Sequence, residues 1–169
     1  MTTWFTSDLH FGHRNIIEYC NRPWATVEEM DAGLIENWNS RVKPMDIVYV
    51  LGDFSLHHKA ARLDEKLEKL NGFKHLVRGN HDNRRSSKNA KGWLSVNEMI
   101  DTEVDGFKIR MMHYKLEDWR GTRILLHGHS HSKDPITGIY SYDVGVDGNN
   151  YAPITLSEIL TKFGRGVTT

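Results

Sequence analysis

Carboxylate, amide and imidazole side chains gather at a few short stretches of this chain, with the spacing of metal ligands. Asp8 and His10 stand two apart in SDLHFGH, and Gly52-Asp53 follows a run of apolar residues. GNHD supplies Asn80, His81 and Asp82, His113 stands alone, and LLHGHSHSK carries His127, His129 and His131 at alternate positions. Residues two apart in extended backbone share a face at a separation of roughly 7 Å, so each such pair can reach one point. Two carboxylates, one amide oxygen and four or five imidazoles form a nitrogen and oxygen donor set without thiolate. Such a set favours Mn, Fe or Zn in a working site over a cysteine-built structural zinc. It also exceeds what one ion takes, whereas two ions sharing a bridging carboxylate would use all of it. Hydrolytic sites of that kind hold their ions about 3.5–4 Å apart and clamp the attacking and leaving oxygens of a displacement.

The elements that must position these residues are legible around them. TWFTS reads as a first strand ending at Asp8, and DIVYVLGD as a buried strand running out at Asp53. Between them, TVEEMDAGLIENWNSRV reads as a helix with Thr26 and Glu29 as a capping box and an apolar stripe of Met30, Leu34, Ile35 and Trp38. HKAARLDEKLEKL is a second helix closed by Asn71-Gly72, and KHLVRGNHD a strand that stops at a turn. EMIDTEV and FKIRMMH, separated by Asp105-Gly106, form a hairpin that puts Phe107, Ile109, Met111 and His113 on one face. RILLHG and IYSYDVGV are further strands, and TLSEILTKF a last helix with Thr155 and Glu158 as its capping box. The sum is an α/β chain of layered sheets covered by helices. In such sheets ligands collect at the carboxyl ends of strands, where these polar clusters lie.

With 169 residues, one domain is expected. The 22 basic and 22 acidic residues balance, so bulk charge does not point to nucleic acid or an anionic membrane. Cys20 is the single cysteine, which excludes an internal disulfide and suits a reducing cytoplasm. No apolar run approaches the ~18 residues of a membrane span. A leader peptide is not expected either, because chemically suggestive residues begin at Ser7.

Taken in order, Asp8-Leu9-His10, Gly52-Asp53, Gly79-Asn80-His81-Asp82, His113 and Gly128-His129-Ser130-His131 resemble the calcineurin-like metallophosphoesterase superfamily. The flanking stretches FTSDLHFGHRNIIEYCNRPW and DVGVDGNNYAPITLSEI are similar to small single-domain members from bacteria and phages. The resemblance implies a four-layer α-β-β-α sandwich of two mixed sheets flanked by helices, one domain over 1–169, and no cap domain. It implies two divalent ions, Mn first, with Fe, Ni or Zn as alternatives. Asp8, His10 and His131 would hold one ion, Asn80, His113 and His129 the other, and Asp53 would bridge them. A metal-bridging hydroxide would attack phosphorus while His81 assists the leaving group and Asp82 orients His81.

Other polar residues are weighed more lightly. His127 precedes the glycine of its motif and is expected to be structural, and His57, His58 and His75 match no motif. Arg14, Arg84 and Lys115, together with the Asn80 amide, are candidate substrate contacts; His13 shares the position just past the first motif. Lys74, Arg78, Arg84, Arg85, Lys88 and Lys91 form a basic run that could steer an anion, and Trp119 beside Arg120 could stack a base or anchor a loop. Each gap between motifs fits a helix or hairpin and none a cap, so the site should be open. An open site favours a phosphodiester, with a phosphomonoester second and nucleotides among the substrates. A nuclease on polynucleotides is the alternative, recognised by strong salt dependence. A non-catalytic scaffold on this fold would be expected to lack ligands, and none is missing here.

Overall fold

Strands β1 (Thr3–Thr6), β2 (Ile47–Val50), β3 (Phe73–Val77) and β4 (Trp93–Asn97) run parallel in that order. A short β10 (Ile154–Thr155) closes the other side of β1 in antiparallel sense. The second sheet has the order β5 (Met99–Val104), β6 (Phe107–Met112), β7 (Ile124–His127), β9 (Ser141–Asp143), β8 (Ile136–Gly138). There β6, β7 and β9 are parallel and both outer strands antiparallel, so each five-stranded sheet is mixed. The computed structural model describes residues 1–119 and 124–164, so Arg120 and the start of RILLHG lie outside the described residues.

Alternation along the strands sorts side chains into two cores. Trp4, Val48, Val50 and Leu76 face helices α2 (Val27–Arg41) and α3 (Ala60–Leu67), meeting Met30, Leu34, Trp38, Leu63 and Leu67. Their neighbours Phe5, Leu51 and Val77 face the second sheet, meeting Ile109, Met111, Ile124, Leu126 and Tyr142. Helix α5 (Leu156–Lys162) adds Leu156, Ile159 and Leu160 to this second core. Burial on both faces is why β2 reads as a near-continuous apolar run rather than an alternating one. The α/β architecture of two mixed sheets with flanking helices therefore matches the expectation from sequence.

Local signals hold with two adjustments, one being that α3 ends at Leu67, ahead of the Asn71-Gly72 expected to close it. The α5 capping box is complete. At α2 the Thr26 hydroxyl accepts the Glu29 N–H at 3.2 Å, but the Glu29 carboxylate reaches back to the Ala25 N–H instead of Thr26. The hairpin turn has Asp105 at φ 51° and Gly106 at φ 78°, the left-handed pair a tight two-residue turn requires. Not foreseen were α1 (Asn15–Tyr19), α4 (Arg84–Asn89), β4, β8 and β10, most of them too short to show a period. The expected basic run is broken up. Lys74 is buried with its ammonium on the carbonyls of Leu70 and Gly72, and Arg78 pairs with Glu98. Only Arg84, Arg85, Lys88 and Lys91 stay exposed.

The parallel strands β1, β2 and β3 deliver Asp8, Asp53 and Asn80 to one end of their sheet, and β6 and β7 deliver His113 and His129 to the matching end of theirs. The two sheets are joined there by backbone bonds from Ser7 N–H to Val144 O and from Val146 N–H to Ser7 O, both 3.1 Å. Among the described residues no helix is long and apolar enough to cross a membrane.

Trp38 anchors the first core. It is 0% exposed and donates its indole N–H to Asn71 O at 3.0 Å. Trp38→Ala is expected to cost about 3–5 kcal/mol of stability, read from denaturant unfolding. A loss below about 1 kcal/mol would place the weight of the core elsewhere.

Candidate metal centre

Asp8, His10 and His131 bring ligand atoms within 4.8 Å of one another, and so do Asp53, His113 and His129. Asp53 lies between the two groups. Its Oδ2 is 3.5 Å from His10 Nε2 and 3.4 Å from His113 Nε2, while its Oδ1 accepts the His81 backbone N–H at 2.9 Å. Asn80 Oδ1 is 3.0 Å from His113 Nε2, which puts the amide beside the second group. All seven expected ligand residues therefore lie together: His10, Asp53, Asn80, His129 and His131 line one cleft, and Asp8 and His113 are buried beside them.

Close approach of backbone to carboxylate explains the glycines of the motifs. A Cβ at Gly79 would collide with Asp53, and one at Gly128 with Ser7 and Asp8. The ring orientations are also fixed from behind. His113 Nδ1 pairs with Leu51 O at 2.8 Å, and His131 Nδ1 with Asp147 Oδ2 at 2.8 Å, which turns each Nε2 toward the centre. Such outer partners set tautomer and direction in metal-binding histidines.

Two atoms test whether this arrangement suits cations. Asp8 Oδ1 and His10 Nε2 are buried with no hydrogen-bond partner. An orphaned buried carboxylate oxygen and imidazole nitrogen are costly by themselves, and a cation would satisfy both. The donor set is oxygen and nitrogen throughout, so the residues fit divalent ions. A third grouping of Cys20, His131 and Asp147 does not. Both Asp147 oxygens already accept from Arg22, one of them also from His131 Nδ1, and burial pushes the Cys20 thiol up to about 11.

Electrostatics separates the ligands. Burial pushes the Asp8 carboxyl up to about 7, against the pull of His131 and His113. Burial also pulls His10 down to about 3, despite Asp53. At Asp53 burial acts upward but is outweighed, chiefly by the hydrogen bond and charge of His113, and the group sits at about 2. At His113 burial acts downward but Asp53 and Asp8 outweigh it, raising the ring to about 9.

Asp82, expected to orient His81, serves a different purpose. Its carboxylate accepts the N–H groups of Asp53 (2.8 Å), Phe54 (3.0 Å) and Gly79 (2.8 Å), with Oδ2 taking two of them. It thus ties the loop after β2 to the loop after β3, and the hydrogen bonds of its carboxylate go to main chain rather than to the imidazole. His81 is exposed in the cleft, edge-on to His10 with ring centroids 5.2 Å apart. Among the expected substrate contacts, Asn80 lines the cleft, whereas Arg14, Arg84 and Lys115 do not. Lys115 donates to Thr137 O, and Arg14 and Arg84 are exposed at the starts of α1 and α4. The cleft, about 430 Å³, is walled instead by His13, Ile16, Tyr19 and Cys20. His127 is buried outside both groups and pairs with Thr137 Oγ1 at 2.7 Å.

Arg22, Asp147, Ser7 and Tyr114 received no role from sequence. Ser7 Oγ donates to Asp8 Oδ2 at 2.5 Å, and Tyr114 Oη to Asn80 Oδ1 at 3.3 Å. The only prior signal for Arg22 and Asp147 was their position in the two stretches flanking the motifs.

A family model described as the calcineurin-like phosphoesterase superfamily domain matches residues 1–138. An uncharacterised protein of Methanocaldococcus jannaschii is 38% identical, covering 95% of this chain and 90% of that protein. The Gene 66 protein of Mycobacterium phage D29 is 32% identical, covering 85% of this chain and 87% of its own. Among solved structures, a protein of unknown function from Aquifex aeolicus superposes with TM-score 0.77 at 26% identity, covering 95% of this chain and 98% of that one. A protein described as a novel archaeal phosphodiesterase shares the fold at TM-score 0.53 and 18% identity, over 86% of this chain and 82% of that one.

Asp8 and His113 must both be deprotonated to act as ligands, so binding of cations displaces their protons. With folded values of about 7 and about 9, affinity should rise with pH through that range and level off above it. At pH 7, titration calorimetry in buffers of different ionisation enthalpy should record release of about one to two protons per chain on Mn²⁺ loading. Binding without proton release would contradict these assignments.

Proposed function

The chain belongs to the calcineurin-like phosphoesterase superfamily, and from that premise we propose that it is a dinuclear phosphodiesterase. That it is a metal-dependent phosphoester hydrolase follows from the family and from the cation-suited donors. The finer reading rests on one observation: Asp53 Oδ2 stands 3.5 Å and 3.4 Å from one histidine of each donor group. A carboxylate so placed can be shared. Asp8, His10 and His131 would hold one ion, Asn80, His113 and His129 the other, with Mn favoured by the mixed nitrogen and oxygen donors.

Bound ions would supply Lewis-acid polarisation of the phosphoryl oxygens and make water acidic enough to serve as nucleophile. The chain's own groups do the rest. The His81 backbone is pinned to Asp53 Oδ1 while its ring stays exposed in the cleft, in reach of a substrate oxygen. From there it delivers a proton to the leaving oxygen, help worth typically about 10²–10⁴ in rate. With Asn80 Oδ1 directed at His113, the amide nitrogen is left to donate to a phosphate oxygen. Asn80, His81 and His129 are all exposed, so a phosphate bearing two substituents can enter. One catalytic domain without a cap belongs to this reading. The exposed cations Arg84, Arg85 and Lys88, directly after the GNHD motif, favour polynucleotide as a second substrate class.

An activity panel tests it. The metal-free protein is loaded with Mn²⁺, Ni²⁺, Zn²⁺ or Mg²⁺ and offered a simple diester, a simple monoester, cyclic nucleotides and single-stranded nucleic acid. Diester cleavage should exceed monoester cleavage and be highest with Mn²⁺. His81→Ala should keep both ions and lose about 10²-fold or more in turnover. Unchanged turnover in His81→Ala would remove its assigned role, and a monoester preference would overturn the diesterase reading. Nucleic acid cleavage that falls steeply with salt would favour the nuclease.

A further inference from the structure

Two stretches flank the ligand motifs without supplying a ligand: NRPW, with Arg22, and DVGVDGNN, with Asp147. They meet in the structure. Arg22 Nε donates to Asp147 Oδ1 and Nη2 to Oδ2, each at 2.9 Å, and the two side chains are 0% and 1% exposed. Further Arg22 donors reach Leu9 O at 2.9 Å and Asp8 O at 2.7 Å, the carbonyls of the loop that carries Asp8 and His10. Asp147 Oδ2 also takes the Nδ1–H of His131 at 2.8 Å. The result is one continuous hydrogen-bonded unit running from the first motif loop, through a buried ion pair, to the ring of the last motif histidine.

A buried ion pair is a weak source of stability, because desolvation offsets most of the attraction. Its geometry here does something else. Asp147 holds the proton of His131 on Nδ1 and leaves Nε2 facing Asp8 Oδ1, 3.9 Å away. Arg22 holds Asp147 in place and fixes the carbonyls of two successive peptides, Asp8–Leu9 and Leu9–His10. His113 is oriented by the main-chain oxygen of Leu51, so the direction of that ring in the second donor group is set outside this unit.

We propose that Arg22 and Asp147 are positioning residues for the cation site formed by Asp8, His10 and His131, and for that site selectively. The proposal rests on the two-ion reading above. It also gives the two flanking stretches a physical role, as the halves of a clamp that closes only when the last third of the chain docks against the first loop.

Calorimetric titration of metal-free protein with Mn²⁺ tests it without reference to turnover. Wild-type protein should show two binding events, and His131→Ala identifies the one belonging to the first site. Asp147→Ala should weaken that same event by about 10–100-fold and leave the other within about threefold. Because Asp147→Ala leaves Arg22 buried and unpaired, the double variant Arg22→Met/Asp147→Ala provides a background without the stranded charge, its folding checked by near-UV circular dichroism. It should show the same selective loss. Both events unchanged in a folded variant, or both weakened equally, would overturn the proposal. A single event in the wild type would instead overturn the two-ion reading, so the two failures are distinguishable.

Discussion

Strands that bring neighbouring side chains to one point turn their last residues out of extended backbone here. Asp8, His10, Asp53, His129 and His131 all do so, with φ between 49° and 72°. Asp and His tolerate this region better than most side chains, yet non-glycine residues held there cost roughly 1–3 kcal/mol each. Such conformations persist only where the surroundings over-determine them. Here the loops hold one another: Asp8 N–H bonds to Gly52 O at 3.0 Å, His10 N–H to Asp53 O at 2.9 Å, and Phe11 N–H to Phe54 O at 3.0 Å. Asp82 adds two main-chain bonds between the loops after β2 and β3, and a third to Gly79 within its own loop. The two-core sandwich beneath them supplies the rigid strands from which these loops spring.

The same convergence concentrates charge. Two carboxylates and four imidazoles meet there, Asp8, His10, Asp53 and His113 among them buried, and the protein without cations settles by moving protons. Asp8 is pushed up by burial, His10 is pushed down by it, and Asp53 and His113 share an ion pair. Bound cations would reverse that distribution, since they favour the ionised carboxylates and the neutral rings. The left-handed loops and the perturbed groups are two aspects of one design, a centre organised in advance for positive charge.

Much of this candidate centre is legible in sequence, because its expected ligands occupy strand ends in short patterns that few other structures need. Asp8-x-His10 and His129-x-His131 announce paired ligands, and the glycines before Asn80 and His129 mark where backbone crowds a carboxylate. The features that sequence hides have a common physical character. Arg22 and Asp147 act through a contact spanning 125 residues, and neither has a local spacing that betrays it. Asp82 sits inside a motif beside His81, yet its carboxylate is claimed by two backbone N–H groups from a loop distant in sequence, Asp53 and Phe54, and by Gly79 N–H. Lys115 reads as a substrate contact and Lys74 as part of an anion-steering run, but each ammonium is occupied by main-chain oxygens. Short elements such as α1, whose Tyr19 walls the cleft together with Cys20, are set by tertiary packing rather than by periodicity.

Sharing of Asp53 between two ions is the central claim, and electron paramagnetic resonance of Mn²⁺ added stepwise to metal-free protein addresses it most directly. A shared carboxylate predicts that the second equivalent converts the isolated-ion spectrum into that of a spin-coupled pair, and that Asp53→Ala never forms the coupled spectrum. An isolated-ion spectrum persisting in the wild-type protein at saturation, or a coupled spectrum in Asp53→Ala, would contradict it.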